Sequence, residues 1–516
     1  MKFYINTPIY YVNDRPHIGH AYTTIVADTL ARFHRLKKDD VFFSVGVDEN
    51  SQKNVQAMEA AGEKDLVAYL DRMAGVWKQT WQDSGIAFTD FIRTTEERHQ
   101  RGVERFWNAV KKSGDIELRE YEGWYCVGCE AFKTETDMVE DKCPLHPNKN
   151  LERLKEKNYF FKLTNYRQAL LDLIEKTDFV QPESRRHEIR NYVKDHLADI
   201  SISREAKSLN VGISVPGDES QRIYVWFDAL LNYLTVVGYG TDEEMFQKWW
   251  PADFWVGGKD ILKFHCALLP AMMMSAAKSD PLLQNKDGGA LLVKQCFAHG
   301  FFTIDGQKIS KSLGNAIDPR DLASKYGMDA LRYFLLREIT FGEDGDFSEK
   351  RLQERYESDL GNTFGNLVNR VIAMSKKYFD GAVPQGMNQE SGIRNEELCA
   401  AVNHAYASHR CDSALAAIWV GLIRANKTIE EAQPFKLIKT DPLAVAKILY
   451  DLLEACRWYA WMVYPVMPGT AEKIWAQLGL DREKELSKGW DEGLQWGGLI
   501  PGQPLGEPEP LFPRLP

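Results

Sequence analysis

No apolar run in this sequence is long enough to cross a bilayer as a helix. The longest notable one, Cys266 to Ala277, falls well short of the ~20 residues required and reads as a buried helix. A signal-peptide core is lacking too, because Asn6, Thr7, Asn13 and Asp14 interrupt the apolar residues of the N-terminus. No secretory route or membrane role is expected, and the cytoplasm is the expected compartment. Positive charge is in short supply: 64 Lys and Arg stand against 74 Asp and Glu, a net charge of -10. An overall basic field is excluded, so any nucleic-acid surface has to be local. Cysteine is scarce, with 8 in 516 residues. Five of these (Cys266, Cys296, Cys399, Cys411, Cys456) are scattered and three cluster with a histidine, which fits a reducing compartment and one metal site better than a disulfide scaffold. There is no fixed-period repeat and no long low-complexity block, so the whole chain is expected to fold, in two to four domains.

What is present is an alternation of strand and helix signals. Phe3 to Tyr11 is aromatic and β-branched and breaks at Asn13-Asp14-Arg15-Pro16. A helix-compatible run follows from His17 to Leu36, then a second apolar strand from Val41 to Val47. This is the βαβ opening of a parallel nucleotide-binding sheet, with the loop after the first strand as the natural ligand site. Near Gly114 the pattern changes to a cysteine-bearing, hairpin-like region that lasts to about Arg222, and strand and helix signals resume at Tyr224-Val225-Trp226-Phe227. From about Lys350 long helical periods dominate, for example Leu360 to Tyr378 and Leu443 to Met462, and the six prolines of Pro501 to Pro516 suggest an extended tail packed on the surface.

The expected architecture is therefore α/β. A Rossmann-like catalytic domain (residues 1–114 and 223–294) is split by an inserted domain (115–222), followed by a connecting segment (295–349) and an all-α bundle with its tail (350–516).

Three constellations carry chemistry. His17-Ile18-Gly19-His20 sets two imidazoles three residues apart at a helix start, where N–H groups and the helix dipole favour phosphate; Gly19 removes a side chain where a nucleotide would press closest. Lys308-Ile309-Ser310-Lys311-Ser312, after the turn Asp305-Gly306-Gln307, sets two ammonium groups beside two hydroxyls, as a mobile clamp on a triphosphate needs. Taken singly, the first is equally well a capped surface helix and the second a solvated loop. Cys126-x2-Cys129 followed by Cys143-x2-His146 gives two pairs of soft ligands on tight turns, suited to one tetrahedral Zn²⁺ with no open position, hence a structural zinc. Further on, Asn362, Asn366 and Arg370 recur every four residues and share a helix face that can hydrogen-bond unstacked bases.

The two short motifs together, in this order, resemble the paired signatures of class I aminoacyl-tRNA synthetases. Thr7-Pro8-Ile9-Tyr10-Tyr11-Val12-Asn13, Tyr224-Val225-Trp226-Phe227-Asp228-Ala229 and Gly257-Gly258-Lys259-Asp260-Ile261 are similar to the methionyl members of that family. The resemblance implies a two-step reaction. Methionine and ATP give methionyl-adenylate and pyrophosphate, and the methionyl group then passes to the 3'-terminal ribose of tRNA(Met), for translation initiation and elongation. It implies His17, His20, Lys308 and Lys311 as catalytic residues acting with Mg²⁺ by electrostatics and positioning. ATP would be bound by these four with Gly19, Gly257, Asp260 and Ile261. Methionine would be bound by Ile9, Tyr11, Asp48, Trp226, Ala229, Leu230, Tyr233, Ile261 and His265, with Asp48 pairing the ammonium and Tyr233 and His265 near the sulfur. Asn362, Asn366, Arg370 and Phe435 match anticodon-contacting positions, and the cysteine pairs match the family's zinc knuckle.

Departures are few. Ile309 stands for the usual methionine, His146 for a frequent cysteine and Phe435 for a frequent tryptophan. Asn50 and Ser51 replace a His-Gly pair, which puts that loop's part in ATP binding in question. The insertion is shorter than the editing domains of the valine, isoleucine and leucine enzymes. A cysteine or leucine synthetase and a non-catalytic tRNA-binding protein are the alternatives, and a monomer is expected because no added dimerisation module is visible.

Overall fold

A computed structural model describes residues 1–126, 131–133, 138–139, 141–144, 150–207, 211–304, 306–309, 316–386 and 394–515, with the backbone alone at 131–133, 307 and 308. At its centre is a fully parallel seven-stranded sheet. β1 (Lys2–Asn6) lies between β3 (Asp40–Asp48) and the strand Phe254–Gly258, with Ile5 level with Phe43 on one side and Phe254 on the other. Gln295–His299 and Val180–Gln181 extend the sheet beyond Phe254–Gly258, while β4 (Asp90–Arg93) flanks β3. Strand polarity and order match the α/β reading. The first strand does not run unbroken from Phe3 to Tyr11: it stops at Asn6 and resumes as β2 (Tyr10–Tyr11), because Pro8 has no N–H to offer the ladder.

Alternate residues of β1 serve opposite faces. Phe3 and Ile5 join one core with α1 (Ile18–Leu36) and the C-terminal helices, whereas Tyr4 joins a second core with α4 (Glu97–Lys112) and the buried segment Phe264–Ala277. Outside the parallel sheet, Ile116–Cys126 pairs antiparallel with Glu152–Phe161, and that strand with Ile200–Ser201; Asp218–Ile223 forms a separate small sheet with Ser203–Glu205 and Ser214–Val215. Tyr224 to Phe227, where the sequence offered both signals, is a helical turn, Val225–Ala229.

The C-terminal part is helical, with Cys411–Ala432 and Pro442–Val463 its longest members. It is fastened to α1 by a buried ion cluster. Asp28 accepts from Arg32 Nε at 2.7 Å and from Arg332 Nη2 at 2.6 Å, and Arg332 also donates to the Val466 carbonyl at 2.6 Å and the Pro465 carbonyl at 3.2 Å. Burial alone would raise the Asp28 carboxyl, but the two guanidiniums outweigh it and hold it below the usual range. The proline-rich tail is more than a surface ribbon: Leu505 and Leu511 are buried, and Tyr356 donates to the Pro513 carbonyl.

Candidate active site

The site forms where the parallel strands end, on both sides of the point at which strand order reverses about β1. Tyr11 comes level with Asp48 at the end of β3. Pro8 lies against Gly257, where an added Cβ would fall 2.9 Å from Pro8 Cγ and 2.4 Å from the Trp255 ring. Glycine is what lets the ends of these two strands close together.

α1 begins at His17. Its Nδ1 accepts from the Gly19 N–H at 3.1 Å, His20 Nδ1 accepts from the His17 N–H at 3.2 Å, and the two rings stack 3.7 Å apart. The imidazoles thus satisfy two amides at a helix start, where partners are short. Because Nδ1 accepts in both rings, each neutral imidazole carries its proton on Nε2, which gives two N–H donors at the positive end of the dipole. A Cβ on Gly19 would meet His17 Cε1 at 2.9 Å, so the glycine makes room for the histidine ring as well as for a ligand. Tyr10 and Trp77 wall the other side of His20, with ring centroids 4.6 and 5.0 Å away.

A second pocket wall is aromatic. Trp226 stacks on Phe264 at 3.9 Å, and Trp255 on His265 at 4.0 Å. The polar groups of His265, Tyr233 and Trp255 are used internally, whereas the buried Trp226 Nε1 has no hydrogen-bond partner among the described residues. His265 Nδ1 donates to the Ile261 carbonyl at 3.0 Å, so its Nε2 accepts from the Tyr233 hydroxyl at 2.8 Å, which in turn accepts from Trp255 Nε1 at 3.0 Å. Burial pushes His265 down to about 3, and it stays neutral. The result is an aromatic cluster, apolar in character and hydrogen-bonded within itself, of the kind that suits an unbranched, polarizable side chain. Ala229 and Leu230 are buried beside it, Ile9, Tyr11, Trp226 and Ile261 are half-buried, and Asp260 is exposed at the turn after Phe254–Gly258.

The loop after β3 is the part the sequence left in question. Ser51 caps the helix Gln52–Ala60 by accepting from the Lys53 N–H, and Lys53 sits 4.4 Å over the Tyr11 ring. Asn50 is buried, and its amide donates to Asp228.

The lysine-bearing segment begins as an antiparallel pair, Thr303 opposite Lys308. Ile309 is buried; the Lys308 side chain and Ser310, Lys311 and Ser312 lie outside the described residues. The hairpin is tied to the Gly257–Ile261 turn through Asp344, which pairs with Lys259 and accepts from the Phe301 N–H at 2.7 Å. Asp344, Trp255 and Phe264 were not singled out from sequence. Trp255 and Phe264 flank motif residues, a signal that was available; nothing local pointed to Asp344.

Two further sets lie elsewhere. Cys126 and Cys143 are buried and not in a disulfide, while Cys129 and His146 lie outside the described residues. Asn362 and Asn366 are exposed and Arg370 is half-buried. Asn362 falls in a π-helical stretch, Tyr356–Gly365, that precedes the α-helix Asn366–Tyr378, so the stripe crosses a change of helix type. Phe435 is 47% exposed.

Comparison with known proteins concerns the chain as a whole. Residues 3–152 and 146–372 match the family described as tRNA synthetases class I (M), and 393–516 match the anticodon binding domain of methionyl tRNA ligase. The methionine–tRNA ligase of Thermotoga maritima is 43% identical, across 100% of this chain and 80% of that protein. The methionine–tRNA ligase of Synechocystis sp. is 42% identical, across 99% and 97%. Mycobacterium tuberculosis methionyl-tRNA synthetase in complex with methionyl-adenylate superposes with a TM-score of 0.90 at 37% identity, over 99% of this chain and 100% of that one.

Proposed function

The chain belongs to the methionyl class I tRNA synthetases, and from that premise we propose how its residues divide the work. The activity is methionine–tRNA ligation: methionine is activated by ATP to methionyl-adenylate and then transferred to tRNA. The observation that carries this is coverage, since the likeness runs through both the catalytic and the anticodon-binding parts at about 40% identity.

In the proposed division, methionine enters the aromatic pocket with its ammonium toward Asp48 and its thioether among Ile9, Tyr11, Trp226, Ala229, Leu230, Tyr233, Ile261 and His265. ATP lies across the start of α1, its ribose beside Gly257, Asp260 and Ile261. The Nε2–H groups of His17 and His20 and the ammonium groups of Lys308 and Lys311 stabilise charge on the phosphates as the methionine carboxylate attacks the α-phosphate. Mg²⁺ accompanies ATP and neutralises further phosphate charge. No side chain need act as a base, because the attacking carboxylate is already ionised. Residues 1–114 and 223–294 form the catalytic domain, 115–222 the insertion, 295–349 the connection and 350–516 the anticodon-binding part, acting as a monomer in the cytoplasm on tRNA(Met).

Methionine-dependent exchange of labelled pyrophosphate into ATP tests the substrate, run with each of the twenty amino acids. Exchange with methionine alone is expected, and strong exchange with another amino acid would overturn the pocket assignment. Phe435→Ala in the same assay should leave exchange unchanged while raising the tRNA KM by about tenfold, the scale of one lost base stack. An impaired exchange would contradict the separation of anticodon and catalytic sites.

The insertion is proposed to hold one structural Zn²⁺ on Cys126, Cys129, Cys143 and His146. Cys126 closes the strand Ile116–Cys126 and Cys143 follows the left-handed Asp141, so two buried thiols sit at chain reversals, as soft ligands of a closed site do. Cys126→Ser should release the metal and lower the melting temperature. A variant that retains one zinc per chain with unchanged melting would show the ligand set to be wrong.

A further inference from the structure

Asn50 is buried between three elements that the methionine pocket depends on. Its side-chain amide donates to Asp228 Oδ2 at 2.7 Å and to the Thr94 carbonyl at 3.3 Å, and its backbone N–H donates to Asp48 Oδ1 at 3.2 Å. Asp228 is fully buried, and its other oxygen lies 2.6 Å from His99 Nε2 on α4; His99 Nδ1 is in turn 2.8 Å from Thr235 Oγ1. Asp228 sits in the turn Val225–Ala229 between Trp226 and Ala229, and Thr235 ends the turn Asn232–Thr235 that carries Tyr233. One residue therefore touches the carboxylate assigned to the substrate ammonium through its backbone, and the turn that walls the substrate side chain through its amide.

We infer that Asn50 is a positioning residue for methionine: it sets the spacing between Asp48 and the Trp226–Ala229 turn by holding Asp48 and Asp228 at once. The inference rests on the pocket assignment given under Proposed function. Its physical basis is that both acceptors are buried carboxylates, for which a donated N–H is worth more than in a neutral pair, and whose loss leaves charge to re-solvate by moving. Loss of the side chain would free the Val225–Ala229 turn from the Asp48 loop, which the Asn50 backbone N–H still holds. The hydrogen bonds of Asn50 run to Asp48, Thr94 and Asp228, none of which lies on α1, the helix whose start is assigned to ATP. The replacement of the family's usual histidine therefore need not cost nucleotide binding, because asparagine still supplies a side-chain N–H to Asp228.

The test is methionine-dependent pyrophosphate exchange on the full chain, with thermal unfolding measured in parallel. Asn50→Ala is expected to raise the methionine KM by about tenfold while the ATP KM stays within about twofold. Asn50→His, which restores a donor, should recover most of the loss. Asp228→Asn, of equal volume, turns one acceptor into a donor and should raise the methionine KM by itself, and in combination with Asn50→Ala it should add little. An Asn50→Ala enzyme that melts lower but keeps its methionine KM would overturn the inference, as would methionine and ATP KM values rising together. Should Asn50→Ala not fold, the histidine and Asp228→Asn variants decide on the same criteria. Asp48→Asn serves as the control: an unchanged methionine KM there would overturn the pocket assignment itself, and this inference with it.

Discussion

Changing Lys311 to alanine is expected to slow methionyl-adenylate formation by about 10²- to 10³-fold, the loss seen when one preorganised donor is removed from a developing oxyanion. Methionine binding should change by no more than a few fold. The asymmetry follows from where the two partners are held. The pocket proposed for methionine is closed on itself by the Ile261–His265–Tyr233–Trp255 hydrogen bonds, none of which involves the lysine segment. That segment is connected instead to the Gly257–Ile261 turn proposed for ATP, by Asp344 bridging Lys259 and Phe301. Charge accumulates on the α-phosphate and on departing pyrophosphate only as the bond breaks, so an ammonium aimed there acts on the transition state and adds little in the ground state. Single-turnover adenylate formation, followed at several methionine concentrations, separates the two effects. Unchanged turnover, or a methionine KM raised in proportion to the loss, would remove Lys311 from the role assigned to it.

The second large effect is on stability in mild acid. Burial pushes His265 down to about 3, and His299 and His409 each to about 4, against about 6.5 for an exposed imidazole. The unfolded chain therefore binds these three protons at a pH where the folded chain does not. With more protons bound in the unfolded state, stability rises with pH: it is fully present above 6.5 and is lost as pH falls from there toward 4. Each histidine contributes a slope of about 1.4 kcal/mol per pH unit in that window, roughly 4 kcal/mol per unit for the three. Glu49 and Asp329 work the other way, since burial raises their carboxyls and they give back stability as acid is added. The difference between the native chain and a His299→Gln variant isolates one histidine. His299 Nδ1 donates to the Gly300 carbonyl and its Nε2 accepts from Thr23, a role an amide can reproduce. The urea midpoints of the two proteins should be similar at pH 7, and at pH 5 the native chain's should fall below the variant's. A difference that stays constant would show that His299 is protonated in the folded state.

Much of this site was legible because its chemistry is local in sequence. His17 and His20 are one helical turn apart, so their stacking and their shared role at a helix start follow from a four-residue motif. The pair Cys126 and Cys143, with Cys129 and His146 three residues on, is likewise a matter of short spacing. Asn50 was visible only as a departure from a family pattern. What it does depends on Asp228, His99 and Thr235, brought together by three elements from separate parts of the chain, and no periodicity encodes that meeting. The family resemblance implies Tyr233 and His265 only as polar contacts near the substrate sulfur, with no bond between them. The structure places both groups in each other's service, because a buried hydroxyl and a buried imidazole cost least when each satisfies the other. Helix type was likewise out of reach, since Asn362 and Asn366 keep their spacing whether the turn between them is α or π.

The Asp28–Arg332–Val466 junction bears on how such a chain can be taken apart. Family boundaries divide it into a catalytic and an anticodon-reading segment, as though each were a module that evolution or an engineer could exchange. Yet Arg332 spends its charge on Asp28 from the nucleotide-binding helix and its remaining reach on carbonyls of the helical part, all away from water. A cut between the segments leaves Arg332 its Asp28 partner but takes both carbonyls from the buried guanidinium, and bares those carbonyls in the other piece. A graft from a relative would have to carry this junction with it.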